Sequence, residues 1–549
     1  MGYVWRRSAL SMSILASVLA LVGGLVVLFT SVSPAVPLVL SILLVLAQYA
    51  FGPVLIQWLI PAYVCTKTAD GAGYVDGTLL GQIVAKQCQL AGVPLVKLGV
   101  IDDGTPNAFA FGRTQRDARI WVSRGLCERL DERELNAVIA HEVAHVKNRD
   151  FIVMTIAAII PMVLYYIYAF GRGQRDQTAV VAWAAYIGYL LSQLAVLALS
   201  RARELGADHA SCERTGDGEA LSSALVKIAY GIGQADRQRS NQVAALIAAN
   251  QKKQARALVR QGHRFTSVRA LGIGNDRVDG ALVDSIESGI DPKAALAAMK
   301  WDAINPWGRF TEKLATHPLV INRIAALETS GLPGAPSSWH AAELKRIQGP
   351  EVDAARARFW WELPVRYVGF IALIAAVAVG FEQGHLQVAG ELGLVAGTLL
   401  TIRALRRTPL TGFTPVDRVT ALLGRMDASP VTGIPVSIKG RVLGRAMPGY
   451  IFSADIVVQD ESGYVPVLYT NQLPFFRTFF ALCRAGRFAN EDVIVTGWYR
   501  RDTGPYLELR KVVPANGKAA GNSQFLINYT LSLMCLAISA IVIVASLTP

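Results

Sequence analysis

Seven long apolar runs constrain this chain before any single residue does. They lie near residues 9–31, 36–61, 152–170, 178–199, 366–381, 385–402 and 525–547. Each is close to the roughly 20 residues that a helix needs to cross a bilayer. The run at 385–402 is the weakest, because it contains Glu391 and several glycines. With 52% hydrophobic and only 17% charged residues, and a mean hydropathy of +0.35, the chain is too apolar for an ordinary soluble protein. The expectation is a multi-pass α-helical membrane protein with about seven spans.

A net charge of +13 would fit nucleic acid, but its placement argues for topology instead. Arg6 and Arg7 precede the first run, Arg403, Arg406 and Arg407 follow the sixth, and 234–270 carries eight Lys or Arg against the lone Asp236. The positive-inside rule puts 62–151, 200–365 and 403–524 in the cytoplasm. The connections 32–35, 171–177 and 382–384 are then outside, with Arg172 and Arg175 a mild violation. Six cysteines (65, 88, 127, 212, 483, 535) form no C-x-x-C, which suits a reducing compartment. The run at 9–31 is longer than a signal-peptide core and reads as a retained anchor.

Inside the first large polar segment lies His141-Glu142-Val143-Ala144-His145. Asp131 with Glu134 reads as a capping box that starts a helix just upstream. Histidines four residues apart project from one helix face and can grip a single Zn2+ ion, one per chain. Glu142 sits one residue round, where a carboxylate can take a proton from metal-activated water. Upstream, 77–91 has helical spacing, and strands are expected near 96–101, 107–112 and 118–123. The small side chains of Asn107-Ala108-Phe109-Ala110 would let a peptide backbone approach such a strand, although an ordinary hairpin strand explains the pattern equally well.

After two further spans the chain reads Ser200-Arg201-Ala202-Arg203-Glu204-Leu205-Gly206-Ala207-Asp208-His209. Catalytic zinc needs three protein ligands and one open position. Glu204 is the first choice for the third, with His209 and Glu213 as competitors that spacing alone does not exclude. Asp208, one turn on, could accept the ring N–H of a ligating histidine. Arg201 and Arg203 would supply countercharge.

The order His141-Glu142-x-x-His145 with Asp150, then Ser200-Arg201-x-Arg203-Glu204-x-x-Ala207-Asp208, resembles the HtpX-like family of membrane zinc metallopeptidases. Pro106 to Ala110, Arg124-Gly125-Leu126, and Thr316-His317-Pro318 with Arg323-Ile324 resemble further signatures of that family. The likeness covers about residues 1–330. It implies an α+β, gluzincin-like zinc-metallopeptidase domain on the cytoplasmic side. It also implies Glu204 as third ligand, Asp208 behind the ligands, the Asn107 strand along the substrate groove, and His317 near the active site, stabilising the oxyanion. Misfolded or damaged membrane proteins are the implied substrates, which is protein quality control.

Three features depart from that family: a longer basic segment at 234–300, two extra spans followed by a whole domain, and one more span after it. Over 243–260 the basic residues alternate with Ala and Leu, as on a solvated helix face or one lying on anionic lipid. Trp360, Trp361 and Tyr367 read as interfacial anchors of the fifth span. In 412–516, strands are expected at 436–442, 451–459, 465–470, 493–499 and 506–513, with a helix at 474–485. That is the layout of a C-terminal OB-like β-barrel domain. Such barrels often bind single-stranded nucleic acid. Between two spans, protein binding or packing at the membrane surface is expected instead, with no partner identified.

The resulting expectation is a membrane zinc endopeptidase whose partners are protein or peptide substrates and the lipid bilayer of the cell membrane. Two other readings share these residues. A CAAX prenyl-type protease has the same metal pattern, but only two spans precede the zinc helix here. A non-catalytic scaffold acting through the barrel would have no need of a full set of ligands and base.

Overall fold

A computed structural model describes residues 35–64, 66–69, 72–75, 78–171, 178–232, 292–382, 385–447, 450, 452–515 and 517–547. The expected span at 9–31 and the basic helix at 243–260 lie outside the described residues. Five described helices are long and apolar enough to cross a membrane: 150–169, 182–215, 350–380, 386–407 and 524–547. A further apolar helix, α1, covers Ala35–Leu59.

The polar part begins with a four-stranded sheet. Its strands are β1 (Tyr63–Val64), β4 (Lys97–Ile101), β5 (Ala108–Phe111) and β6 (Arg119–Ser123), and their order is β1-β4-β6-β5. A small hairpin, β2 (Thr66–Ala69) and β3 (Ala72–Val75), precedes helix α2 (Leu79–Ala91). Thr78 caps α2 at its start, and Gly92 ends it in the left-handed conformation with φ 68°, where a side chain is strained. β4 and β6 run parallel, while β5 pairs antiparallel with β6 in the register Ala108↔Val122 and Ala110↔Ile120. β5 is therefore an edge strand.

Against this sheet packs α3 (Glu132–Lys147), whose capping box forms as the spacing predicts: the Glu134 N–H donates to Asp131 Oδ1 at 2.8 Å and the Asp131 N–H to Glu134 Oε2 at 2.9 Å. Glu134 is also buried, where it accepts from Lys227 Nζ at 2.7 Å and from the Ser223 hydroxyl. Cap and core contact thus use one side chain. Val138, Ile139 and Val143 on α3 are fully buried with Leu98, Ile120, Leu225 and Ile324, so the metal-motif helix is part of the main core.

Two long helices carry the chain between the core and the membrane segments. Arg149, at φ 54°, makes the turn between α3 and α4 (Asp150–Gly171). α5 (Thr178–Thr215) is one uninterrupted helix of 38 residues, about 57 Å at 1.5 Å per residue. A bilayer core is about 30 Å thick, so α5 is much longer than one crossing needs. The expected span at 178–199 and the motif after it share one rod. Next come α6 (Gly218–Tyr230), α7 (Pro292–Ile304), α8 (Pro306–Glu312) and α9 (Val320–Glu328).

Three helices form the second apolar bundle: α10 (Pro350–Glu382), α11 (Leu386–Arg407) and α13 (Gln524–Leu547). The glycines that weakened 385–402 as a span have a packing reason. A Cβ at Gly393 would lie 2.2 Å from Ser539 Oγ, and one at Gly397 2.8 Å from Leu536. Small residues let helices in lipid approach this closely.

Between α11 and α13 five strands close a barrel: β7 (Ile434–Arg445), β8 (Ile456–Gln459), β9 (Tyr464–Leu468), β10 (Asp492–Arg501) and β11 (Pro505–Pro514). Each pairs with two others in the cyclic order β7-β8-β9-β11-β10, with β9 and β11 parallel. Helix α12 (Pro474–Cys483) connects β9 to β10. One boundary is corrected. The strand expected at 451–459 begins at Ile456, because Met447 and Tyr450 in the preceding loop leave the barrel and pack beside Phe109, Phe111 and Trp121 of the first sheet.

That loop is one of several contacts by which the barrel sits on the peptidase-like part. Tyr464 donates its hydroxyl to the Ile228 carbonyl at 2.6 Å and its N–H to Gly231 O at 2.8 Å. Its ring lies 4.6 Å beneath the Arg129 guanidinium. Thr105 Oγ1 donates to Arg445 O at 2.8 Å, and buried Arg501 donates to the Leu423 and Ala298 carbonyls.

Candidate metal centre

The motif histidines face one another across one turn of α3. Their Nε2 atoms are 3.1 Å apart, and the rings meet nearly edge to face. Glu204, on the part of α5 beyond the apolar run, brings Oε2 to 3.6 Å from His141 Nε2 and Oε1 to 3.5 Å from His145 Nε2. These three residues each offer one donor atom within 4.8 Å of the others. Two donors bound tetrahedrally at about 2.05 Å from one zinc lie about 3.3 Å apart. The observed separations bracket that value.

The other ring nitrogens explain why the Nε2 atoms point inward. His141 Nδ1 lies 2.9 Å from Asp208 Oδ1, and His145 Nδ1 lies 2.5 Å from Asp150 Oδ2. A carboxylate at Nδ1 keeps the proton there and leaves a lone pair on Nε2. Two such lone pairs 3.1 Å apart repel unless a cation lies between them. Glu204 Oε2 adds to this, being buried with no hydrogen-bond partner. The donors present therefore fit a bound metal. Burial opposes charge on His141, but the Asp208 and Glu204 carboxylates outweigh it and lift its pKa to about 9.

Glu142 is buried beside the histidines. Burial pushes its carboxyl pKa up, against the pull of His145 and His141, and the Ala110 backbone N–H bonds to it. Edge strand β5 thus runs directly along the motif helix. Asn107 and Ala108 are buried, whereas Phe109 and Ala110 are half-buried, and Phe109 stacks on Phe111 at 5.1 Å. Neither amide atom of Asn107 has a hydrogen-bond partner.

His317 reaches the site from the turn before α9. Its Nε2 lies 3.5 Å from Glu204 Oε1 and its Nδ1 2.9 Å from Thr316 Oγ1. Burial lowers its pKa, against the pull of Glu204. His209 and Glu213, the competitors for the third position, are exposed and face away.

The expected countercharge is corrected. Arg201 donates instead to the Glu312, Lys313 and Ala315 carbonyls, securing the end of α8. Arg203 does serve the site, but through Asp150, whose Oδ2 its Nη2 meets at 2.6 Å. The main cation is Arg323 on α9. It is fully buried, bonds both oxygens of Asp208 (Nε to Oδ2 at 2.7 Å), and lies 3.6 Å from Glu204 Oε2. Arg323 stands in one of the sequence signatures, but nothing local assigns its role, because its partner is 115 residues away. Asp150 stands in the motif signature without a role, and only the fold shows it behind His145.

Comparison with known proteins finds relatives over the part of the chain that holds this site. The family model described as Peptidase family M48 matches residues 78–330. A "Protease HtpX homolog" of Methanothermobacter thermautotrophicus is 40% identical over 186 residues, which is 33% of this chain and 72% of that protein. One from Pyrococcus abyssi is 30% identical over 261 residues, 44% of this chain and 84% of the relative. A "Protease HtpX homolog 2" of Methanosarcina mazei is 33% identical over 192 residues, 33% of this chain and 63% of the relative, just under two thirds of its length. No solved structure matches. The barrel lies outside the family match.

Proposed function

Because this chain belongs to the HtpX-like family of M48 metallopeptidases, we propose that His141, His145 and Glu204 hold one catalytic zinc ion and that Glu142 is the general base of a membrane-embedded endopeptidase. The observation that carries this is the set of donor separations, 3.1, 3.5 and 3.6 Å, with every outward histidine nitrogen taken by a carboxylate. Zinc supplies Lewis acidity toward the scissile carbonyl and its attacking water. Glu142 accepts the proton of that water and returns it to the leaving amine. A buried carboxyl with a raised pKa suits both roles, because a pKa nearer the working pH lets it take up a proton and still give it back. Asp208 and Asp150 orient the two histidines, and Arg323 and Arg203 hold those carboxylates in place. His317 stands where it can donate a hydrogen bond to the developing oxyanion. Edge strand β5 aligns an extended substrate by main-chain hydrogen bonds.

Misfolded or damaged membrane proteins are the proposed substrates, approached from the cytoplasmic face where basic charge collects. The barrel is proposed to be OB-like. Its cyclic strand order, the parallel β9–β11 pair and the helix between its third and fourth strands support that reading.

Glu142→Gln should retain zinc and abolish cleavage, since it removes the base but no ligand, and full proteolysis by that variant would refute the assignment. Glu204→Ala should lose the metal. An unchanged zinc content by mass spectrometry would move the third ligand elsewhere. Reporters fused near Lys252 and after Lys518 test sidedness: both should read cytoplasmic, and an external signal at Lys252 rejects the cytoplasmic site.

A further inference from the structure

Helix α12 buries one face in the barrel and leaves the other bare. Phe480 and Ala481 are buried, and the Phe480 ring stacks on Tyr469 at 4.2 Å, so the helix is held in a fixed rotation. Leu473, Phe475, Phe476, Phe479 and Leu482 are then 46–72% exposed. From Phe475 onward these positions recur at one, four and seven residues, a single stripe along the helix. A contiguous apolar patch of this kind marks a surface that something covers.

Its position identifies what. Gln472, just before the stripe, is joined to the first turn of α13: its N–H donates to Gln524 Oε1 at 2.9 Å and its side-chain amide to Asn528 Oδ1 at 3.3 Å. α13 is the most apolar of the five membrane-length helices, so the stripe starts at the level where α13 enters the bilayer. Charge agrees with a lipid surface. Residues 474–490 contain Arg477, Arg484 and Arg487 and no acidic residue. Arg484 and Arg487 are exposed, and the Arg484 guanidinium lies 5.9 Å from the Phe479 ring centre.

We propose that α12 is an in-plane membrane anchor, with its phenylalanine stripe in the headgroup–acyl boundary of an anionic leaflet and Arg484 and Arg487 on lipid phosphates. Both arginines lie just past the end of α12, and basic residues flanking such a helix add electrostatic attraction to its apolar insertion. Because the barrel is fastened to the peptidase part through Tyr464 and Arg501, the anchor also sets the attitude of the metal centre over the bilayer.

The test uses the full-length chain at one copy per nanodisc, in phosphatidylcholine with or without phosphatidylglycerol. Phe475→Cys and Leu482→Cys, each with Cys483→Ser, are spin-labelled, and the signal of Cys483→Ser alone is subtracted. In anionic discs both labels should be several-fold more accessible to oxygen than to a water-soluble nickel chelate. Free access of the chelate overturns the proposal, and so does protection from both agents, which would mean that protein covers the stripe. Arg484→Glu with Arg487→Glu should raise chelate access several-fold in anionic discs, and no change would refute the role of the arginines.

Discussion

Asp150→Asn isolates what a carboxylate behind a metal ligand contributes. Asp150 Oδ2 lies 2.5 Å from His145 Nδ1 and 2.6 Å from Arg203 Nη2, and its side chain is 7% exposed. Asparagine has the same shape, and its amide oxygen still accepts the Nδ1 proton, so the ring stays turned toward the site. Only the charge is lost. A charge-assisted bond is roughly twice as strong as a neutral one, and removing such a partner typically weakens metal binding about 10–100-fold, or ~1.4–2.7 kcal/mol. Arg203 is not stranded, because the same amide oxygen can accept from its Nη2 and its Nη1 keeps the Asp150 backbone carbonyl. Asp150→Leu removes the acceptor as well and frees the ring, so its loss should be larger. The assay is zinc titration of metal-stripped, full-length protein against a chelator of known affinity, with proteolysis measured separately at saturating zinc. Activity at saturation should recover to within a few-fold of wild type for the Asn variant, because Glu142 is untouched. Wild-type zinc affinity in Asp150→Asn, or a Leu variant no worse than the Asn one, would refute the reasoning.

Other outcomes follow from buried charge. Arg323→Leu strands Asp208 in the interior and should cost about 3–5 kcal/mol, read as a lowered Tm. Arg323→Lys should not restore it, since a single ammonium cannot meet both carboxylate oxygens as the guanidinium fork does. In the barrel, burial opposes charge on Glu508, but Arg407 and Arg500 outweigh it and lower its pKa from 4.5 to about 2. Arg500 is itself drawn down to about 10 by burial and by Arg407, yet it stays charged across the range concerned. A folded-state pKa below the unfolded one gives stability that is present above pH 4.5 and lost as pH falls toward 2, about 3 kcal/mol in all. Glu508→Gln should flatten that acid limb in thermal melts across this range, and an unchanged limb would assign it to other carboxylates.

Local spacing determined a great deal of this protein. The histidine pair, its base and the capping box lie within 15 residues of one another, and a helix places residues four apart on one face whatever surrounds it. Apolar runs and period-2 patterning likewise located the five described membrane-length helices, the barrel strands apart from the start of β8, and the helix between β9 and β10. Glu204 was the first choice for the third ligand on the strength of one helical turn and a family resemblance, while His209 and Glu213 left the site only once the rotation of α5 was known. The sequence offered Asp208 as the residue behind a ligand, but only tertiary structure decided which histidine it serves and which cation holds it. Arg323 meets Asp208 across 115 residues, and Tyr464 meets Ile228 across 236. A buried ion pair or a docked barrel depends on which surfaces exclude water together, and sequence separation carries no record of that. The same reason hid the bare stripe on α12: hydrophobic spacing shows that a helix has an apolar face, but only the packed barrel shows which part of that face remains uncovered.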